Sequence, residues 1–205
     1  MSLLDKDIRE GLFDILEDNY GKIRIIEEQC IGKSRSDVLV VTDQGLYGIE
    51  IKSDADTYAR LSSQVKDYDK FYDYNYVVVG TKHASHIKEH VPDYWGVVTV
   101  ELVDDKLDFY VRRKAKPNPK MKIKYKLSLL WRTELVSIQE IFGMPKYKEK
   151  SKDFVRKKIL ERLSFEQSKK GHIDIDELNR EIINIFFERD YTTIEDEIKE
   201  YKNGV

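Results

Sequence analysis

The sequence predicts an α/β protein: one helix, a three-stranded meander, a second helix and a return strand, with a mainly helical C-terminal extension. Three observations predict it. An amphipathic helical stretch precedes the strands, two strands flank an Asp43-Gln44-Gly45 turn, and Pro117-Asn118-Pro119 breaks the chain before a long stretch at helical spacing.

Asp5 to Asp18 sets Ile8, Leu12, Ile15 and Leu16 on one helical face and ends at Asn19-Tyr20-Gly21. Lys22 to Ile31 is the expected first strand. Val38 to Val41 is a short apolar run, as in a strand buried on both faces, with Asp37 at its entrance. Leu46 to Lys52 is the next strand. The segment from about Thr57 to Tyr72 repeats Leu61, Val65 and Tyr72 at helical spacing, with Asp56 as N-cap. Asn75 to Gly80 is a buried return strand, His83 to His90 a short helix ending before Pro92. Trp95 to Val103 and Leu107 to Arg113 read as a hairpin turning at Asp104-Asp105.

Side chains alternate along a strand, so Gly48, Glu50 and Lys52 share one face and Tyr47, Ile49 and Ile51 the other. Gln64 and Tyr68, four apart, lie on one helix face turned toward the strand edges. Gly48 is expected to leave room beside Glu50, and Lys52 to stand at the mouth of the site. Two carboxylates holding a divalent cation beside a lysine can neutralise a phosphate, activate water and stabilise a leaving oxygen. An acid-x-Lys triplet means little alone where 36% of residues are charged. Glu197-Ile198-Lys199 and Asp104-Asp105-Lys106 match it too, but in a helical pattern and a turn. The competing explanation for Glu50 and Lys52 is a solvated ion pair on a half-buried sheet.

Residues 35–80 resemble the core of the PD-(D/E)XK nuclease superfamily, the restriction-endonuclease-like fold. Gln64-x-x-x-Tyr68 resembles the element of RecB-type nucleases. The string Tyr47-Gly48-Ile49-Glu50-Ile51-Lys52-Ser53-Asp54, with Arg60-Leu61 and Gln64, is similar to the sce-type bacterial and phage family of that superfamily, with Ser36 before Asp37 where Pro or Ala is usual. The resemblance runs from about residue 5 to about residue 165. It implies a Mg²⁺- or Mn²⁺-dependent deoxyribonuclease, in a DNA repair, phage or defence context. Asp37, Glu50 and the Ile51 carbonyl would bind metal, Lys52 would act on the attacking water, and Gln64 and Tyr68 would position these groups. Asp5, facing inward between Ile8 and Leu12, is the candidate third carboxylate, with an ion pair to Arg9 as its alternative use. The superfamily also includes members that only bind, so a catalytically inactive DNA-binding or interaction module is the alternative function.

The net charge of −2 conceals a partition. Residues 1–111 carry 13 basic and 22 acidic side chains, residues 112–170 carry 19 and 6, and residues 171–205 carry 4 and 10. A basic stretch interleaved with Tyr125, Trp131 and Tyr147 suits a polyanion such as DNA, although solvated helix faces would give the same composition. The division expected is a nuclease-like core over 1–115, a basic helical region over 116–170 and an acidic helical tail over 171–205. Within the basic region, Leu135, Ile138 and Phe142 mark one helix stopped by Gly143 and Pro145, and Ser151 caps a second. This second helix is Lys-rich, and the pair faintly resembles a SAP-type DNA-binding motif; a plain helical hairpin is the alternative. Lys150, Lys152, Arg156, Lys157 and Lys158, with Arg60, are the candidate DNA contacts.

His83, His86 and His90 have the spacing of one helix face but no fourth ligand nearby, so surface histidines are favoured over zinc. The single Cys30, the charged N-terminus and the lack of a membrane-length apolar run point to the cytoplasm. The partners expected are DNA and, as a homodimer, a second copy of the chain, with no membrane.

Overall fold

Alternating apolar side chains lay down six strands, and these line up in chain order across one mixed sheet. The computed structural model describes residues 4–167 and 169–189. Helix α1 (Asp5–Asn19) precedes an antiparallel meander of β1 (Arg24–Ile31), β2 (Ser34–Thr42) and β3 (Gly45–Lys52). Helix α2 (Leu61–Phe71) carries the chain over to β4 (Tyr74–Val79), which runs parallel to β3. Strand β5 (Gly96–Val103) is parallel to β4, and β6 (Lys106–Arg113) is antiparallel to β5.

The strand period of two sorts side chains onto two faces. Val38, Val40, Ile49, Ile51, Val78 and Val98 pack against Ile8 and Leu12 of α1. Leu39, Val41, Leu46, Val77, Val79 and Val97 face the other way, toward Leu61, Val65 and Tyr68 of α2. This second cluster continues without a break into α4 (Arg132–Ile141), α5 (Lys152–Leu163) and α6 (Ile175–Glu188) through Leu135, Ile138, Val155, Ile159, Leu178 and Ile182. The basic region therefore shares its apolar core with the sheet. The short helix α3 (Ile123–Lys126) contributes the fully buried Lys126, whose ammonium donates to Asp73 and Asn179 and so ties α6 to the sheet.

Several local expectations are corrected. Helix α2 starts at Leu61 behind Arg60, not at Thr57 behind Asp56. Asp56 is drawn off because its carboxylate accepts from the Ser53 N–H (2.8 Å) and hydroxyl (2.6 Å), closing a turn directly after β3. The stretch from His83 to His90 is two 3₁₀ turns, Thr81–His83 and Ile87–Glu89, rather than one helix. The break at Pro117-Asn118-Pro119 is fastened down: the buried Asn118 amide donates to the Asp69 and Tyr72 carbonyls at 2.9 and 2.8 Å. Ser151 does cap α5, accepting from Phe154 N–H at 3.2 Å, and Gly143 takes the positive φ (+56°) that follows α4. The acidic amphipathic stretch is helical over α6; its continuation to Lys202, including Glu197-Ile198-Lys199, lies outside the described residues. No helix among the described residues is long and apolar enough to cross a membrane.

Candidate functional site

The strand pairing builds the site. The β2–β3 ladder runs from Thr42↔Gly45 to Val38↔Ile49, so Asp37 stands one residue beyond its end. On its other side the β1–β2 ladder skips the same position, pairing Glu27↔Val38 and Gln29↔Ser36 while Glu28 takes a positive φ of 57°. Released from both neighbours, the Asp37 backbone finds side chains instead. Its N–H donates to the Tyr68 hydroxyl at 3.2 Å, and its carbonyl accepts from the Arg9 guanidinium at 3.3 Å. Its carboxylate then turns across the strand end, where Oδ2 accepts the Ile51 N–H at 2.7 Å. The N–H and C=O of one strand residue point to the same side, so the Ile51 carbonyl faces the Asp37 side as well.

Glu50 and Lys52 lie on the α2 side of the sheet, as alternation requires. Glu50 is 0% exposed and Lys52 5% exposed, so the lysine is interior to the protein and not at the mouth of a cleft. Three donors converge on the Glu50 carboxylate. Lys52 Nζ and Gln64 Nε2 donate to Oε1, and the Tyr68 hydroxyl proton is shared between Oε2 (2.7 Å) and the Ile49 carbonyl (3.1 Å). Gly48 lies two residues back on the same face. A Cβ there would meet the Tyr72 ring at 2.1 Å and the Tyr68 ring at 2.8 Å. The space beside Glu50 is thus filled by two tyrosines, not left open.

Electrostatics follow from this burial. Desolvation, then the Glu50 charge, pushes the Asp37 carboxyl up to about 7, against the opposing pull of the Ile51 N–H and Lys52. Burial, with the Glu50 and Asp37 charges, holds the Tyr68 phenol well above its ordinary value. Tyr68 therefore remains a hydrogen-bond donor throughout the physiological range.

The structure brings Asp37, Glu50, Ile51, Lys52, Gln64 and Tyr68 together, with Asp5 near enough for its charge to act on Asp37 but engaged by Arg9. The Asp5 carboxylate is ion-paired at 2.8 Å with Arg9, which also reaches Glu27 at 3.1 Å. No group of three or more acidic, His or Cys side chains able to hold a metal forms among the described residues. Arg9 and Tyr72 are the neighbours that sequence reasoning did not place in the site. Tyr72 had a signal, since it is one turn beyond Tyr68 on the same helix face, and its hydroxyl meets Ser36 Oγ at 2.7 Å. For the contact of Arg9 with Asp37, nothing local in sequence gives a cue.

Arg60 is exposed one turn ahead of Gln64, where the Gln64 N–H donates to its carbonyl at 3.1 Å. On α5 and just ahead of it the candidate contacts divide. Lys150 and Lys157 are exposed, Arg156 pairs with Asp153 at 2.7 Å, and Lys158 pairs with Glu161 at 2.7 Å. Lys152 instead turns inward and donates to the Ser128 carbonyl at 2.8 Å, which removes it from the outward face. The three histidines do not form a ligand set. His83 and His90 pack on Tyr58, with ring centroids at 4.8 and 3.9 Å, and His86 pairs with Glu89.

Together these features define a mixed α/β protein whose six-stranded sheet carries a buried acid–lysine cluster roofed by the Gln and Tyr of one helix. The chain belongs to the family described as bacteriophage P4 protein cII, whose model matches residues 2–198. No protein with a curated description matches it. Among solved structures it is similar to SfsA from Pyrococcus furiosus in complex with Ca²⁺, at 17% identity and a TM-score of 0.31. That match covers 55% of this chain and 62% of the other.

Proposed function

We propose that the protein is a metal-dependent deoxyribonuclease with a PD-(D/E)XK core, hydrolysing DNA phosphodiester bonds. One observation carries the reading: Asp37, Glu50 and Lys52 meet on the sheet face where Gln64 and Tyr68 donate to Glu50. A solvated surface ion pair would not be buried under a helix or share its acid with two further donors.

The residues present suit a hard divalent cation. Gln64 Oε1 is buried without a partner, Asp37 uses only one of its oxygens toward Ile51, and all the available ligands are oxygens. Asp37, Glu50 and the Ile51 carbonyl would hold Mg²⁺ or Mn²⁺, a two-carboxylate set of the kind Mg²⁺ completes with water. A bound ion supplies charge neutralisation at the phosphate and acidifies water. The chain's own residues do the rest. Lys52, held in place by Glu50, orients the attacking water and stabilises charge on the phosphate. Gln64 and Tyr68 fix the Glu50 carboxylate, and Arg60 contacts the DNA backbone.

The purified protein should cleave DNA with Mg²⁺ or Mn²⁺ and not with EDTA, assayed on plasmid, linear duplex and single strands. Binding to DNA without cleavage of any of the three would favour the inactive binding module. The basic region has its own test. Changing Lys150, Lys157 and Lys158 to Ala should weaken binding at every sequence. Each lost phosphate contact should also reduce the slope of log K against log salt by about 0.9 for duplex or about 0.7 for single strands. An unchanged affinity and slope would mean that α5 is only a solvated face.

A further inference from the structure

Strand β6 is the last in the sheet, and among the described residues nothing pairs with its outer edge. Its apolar side chains are left uncovered there: Tyr110 is 43% and Val111 59% exposed. An unpaired edge can template further strand pairing, and here its apolar residues alternate with the charged Lys106, Asp108, Arg112 and Arg113.

The hairpin fixes what that edge offers. The turn residues Asp104 and Asp105 have positive φ (48° and 60°) and close on the pair Val103↔Lys106. In a two-residue hairpin the closing pair is hydrogen-bonded, and bonded and non-bonded pairs alternate from it. Lys106, Asp108 and Tyr110 therefore spend their backbone groups on β5, while Leu107, Phe109 and Val111 present theirs outward. Side chains alternate with the same period. Phe109 and Val111 line an apolar cavity of about 490 Å³ under α1. Tyr110 and Arg112 line a shallow cleft on the opposite face, where Asp108 accepts from the Tyr110 hydroxyl at 2.7 Å.

We propose that this edge pairs antiparallel with the same edge of a second copy, centred on Tyr110. The segment Asp108-Phe109-Tyr110-Val111-Arg112 reads acid, apolar, aromatic, apolar, base, and is complementary to its own reverse. Centred on Tyr110, Phe109 lies opposite the partner's Val111 in a reciprocal backbone pair, because both present their N–H and C=O outward. Asp108 meets the partner's Arg112, and the contact occurs twice by symmetry. The Tyr110 rings meet on the axis. Slipping two residues one way sets Lys106 against the partner's Arg112. Slipping the other way requires Arg113 in the ladder. Arg112 is the extra residue of a bulge at the end of the β5 ladder, so its side chain can reach the partner's Asp108 while the regular ladder stops there. The Arg113 guanidinium is engaged by the Trp95 and Pro92 carbonyls at 2.7 and 2.8 Å. The self-pairing also extends each apolar cavity wall across the axis.

Sedimentation of the full chain at about 100 µM, where interfaces at the small end of the size scale assemble, should give the mass of two chains. Asp108→Arg and Arg112→Asp should each sediment as one chain with an unchanged circular dichroism melt. Mixing the two in equal amounts should restore the double mass. In a Cys30→Ser background, Tyr110→Cys should form a covalent dimer on mild oxidation, since facing non-bonded positions lie about 4.5 Å apart at Cα. A monomeric wild type, or a dimer that both charge variants leave intact, would overturn the proposal. So would a mixture of the two variants that stays monomeric.

Discussion

Lys52→Met is expected to reduce DNA cleavage by roughly 10²–10³-fold or more, the scale of losing one group that stabilises charge in the transition state. It should also lower the melting temperature. Glu50 is fully buried, and removing its cation leaves the acid with only the Gln64 and Tyr68 donors. Breaking a buried pair from one side costs about 3–5 kcal/mol. At roughly 2–4 °C per kcal/mol for a chain of this size, a fall on the order of 10 °C follows. Folding and chemistry can be separated by removing both charges. Glu50→Gln with Lys52→Met keeps the volume and leaves no uncompensated charge, so the melting temperature should recover most of the loss. Cleavage should not recover. A double variant that regained activity would show that Lys52 serves the fold alone.

The succession of elements along the chain was legible in the sequence, and so was the face carrying Gly48, Glu50 and Lys52, because a period of two admits only one such sorting. The depth of the site was not. An acid and a lysine two apart on a strand read the same whether solvent or a helix covers them, and only the packing of Tyr68 and Tyr72 over Gly48 decides it. Asp56 shows the same limit. It is as good an N-cap as any aspartate, but Ser53, three residues earlier, offers it two donors in a turn. Lys152 belongs to a Lys-rich helix on which Lys157 is exposed, yet the Ser128 carbonyl 24 residues away draws it in. Asp5 is taken by Arg9 one helical turn on, a competition the spacing did display. For the depth of the site and for Lys152, what sequence reasoning lacked was the partner supplied by chain distant in sequence.

Asp37 makes the stability of the metal-free protein depend on pH in a specific sense. Its folded-state carboxyl is pushed up to about 7 by burial and by the Glu50 charge, above the ordinary value of 3.8. The fold therefore favours the protonated form. Below the ordinary aspartate range both folded and unfolded chains carry the proton, and this stabilisation is fully present. As pH rises through about 7 the folded protein also gives up its proton, and the stabilisation is lost. A shift of this size corresponds to at most ~4 kcal/mol. The metal-free wild type should thus melt lower at pH 8 than at pH 5, and Asp37→Asn should remove much of that slope. On the proposed assignment a divalent cation would act in the opposite direction, since it would bind the ionised form. At pH 8, Mn²⁺ at about 100 times its dissociation constant should return about 2.7 kcal/mol to the wild type. It should return little to Asp37→Asn or Glu50→Gln. At pH 5 the proton competes with the ion, so the same Mn²⁺ concentration should raise the wild-type melting temperature far less. Thermal melts over this pH range, with and without Mn²⁺, measure both effects. Equal slopes for wild type and Asp37→Asn would show that Asp37 is already ionised in the folded protein. A Mn²⁺ shift that survives loss of either carboxylate would place the ion elsewhere on the chain.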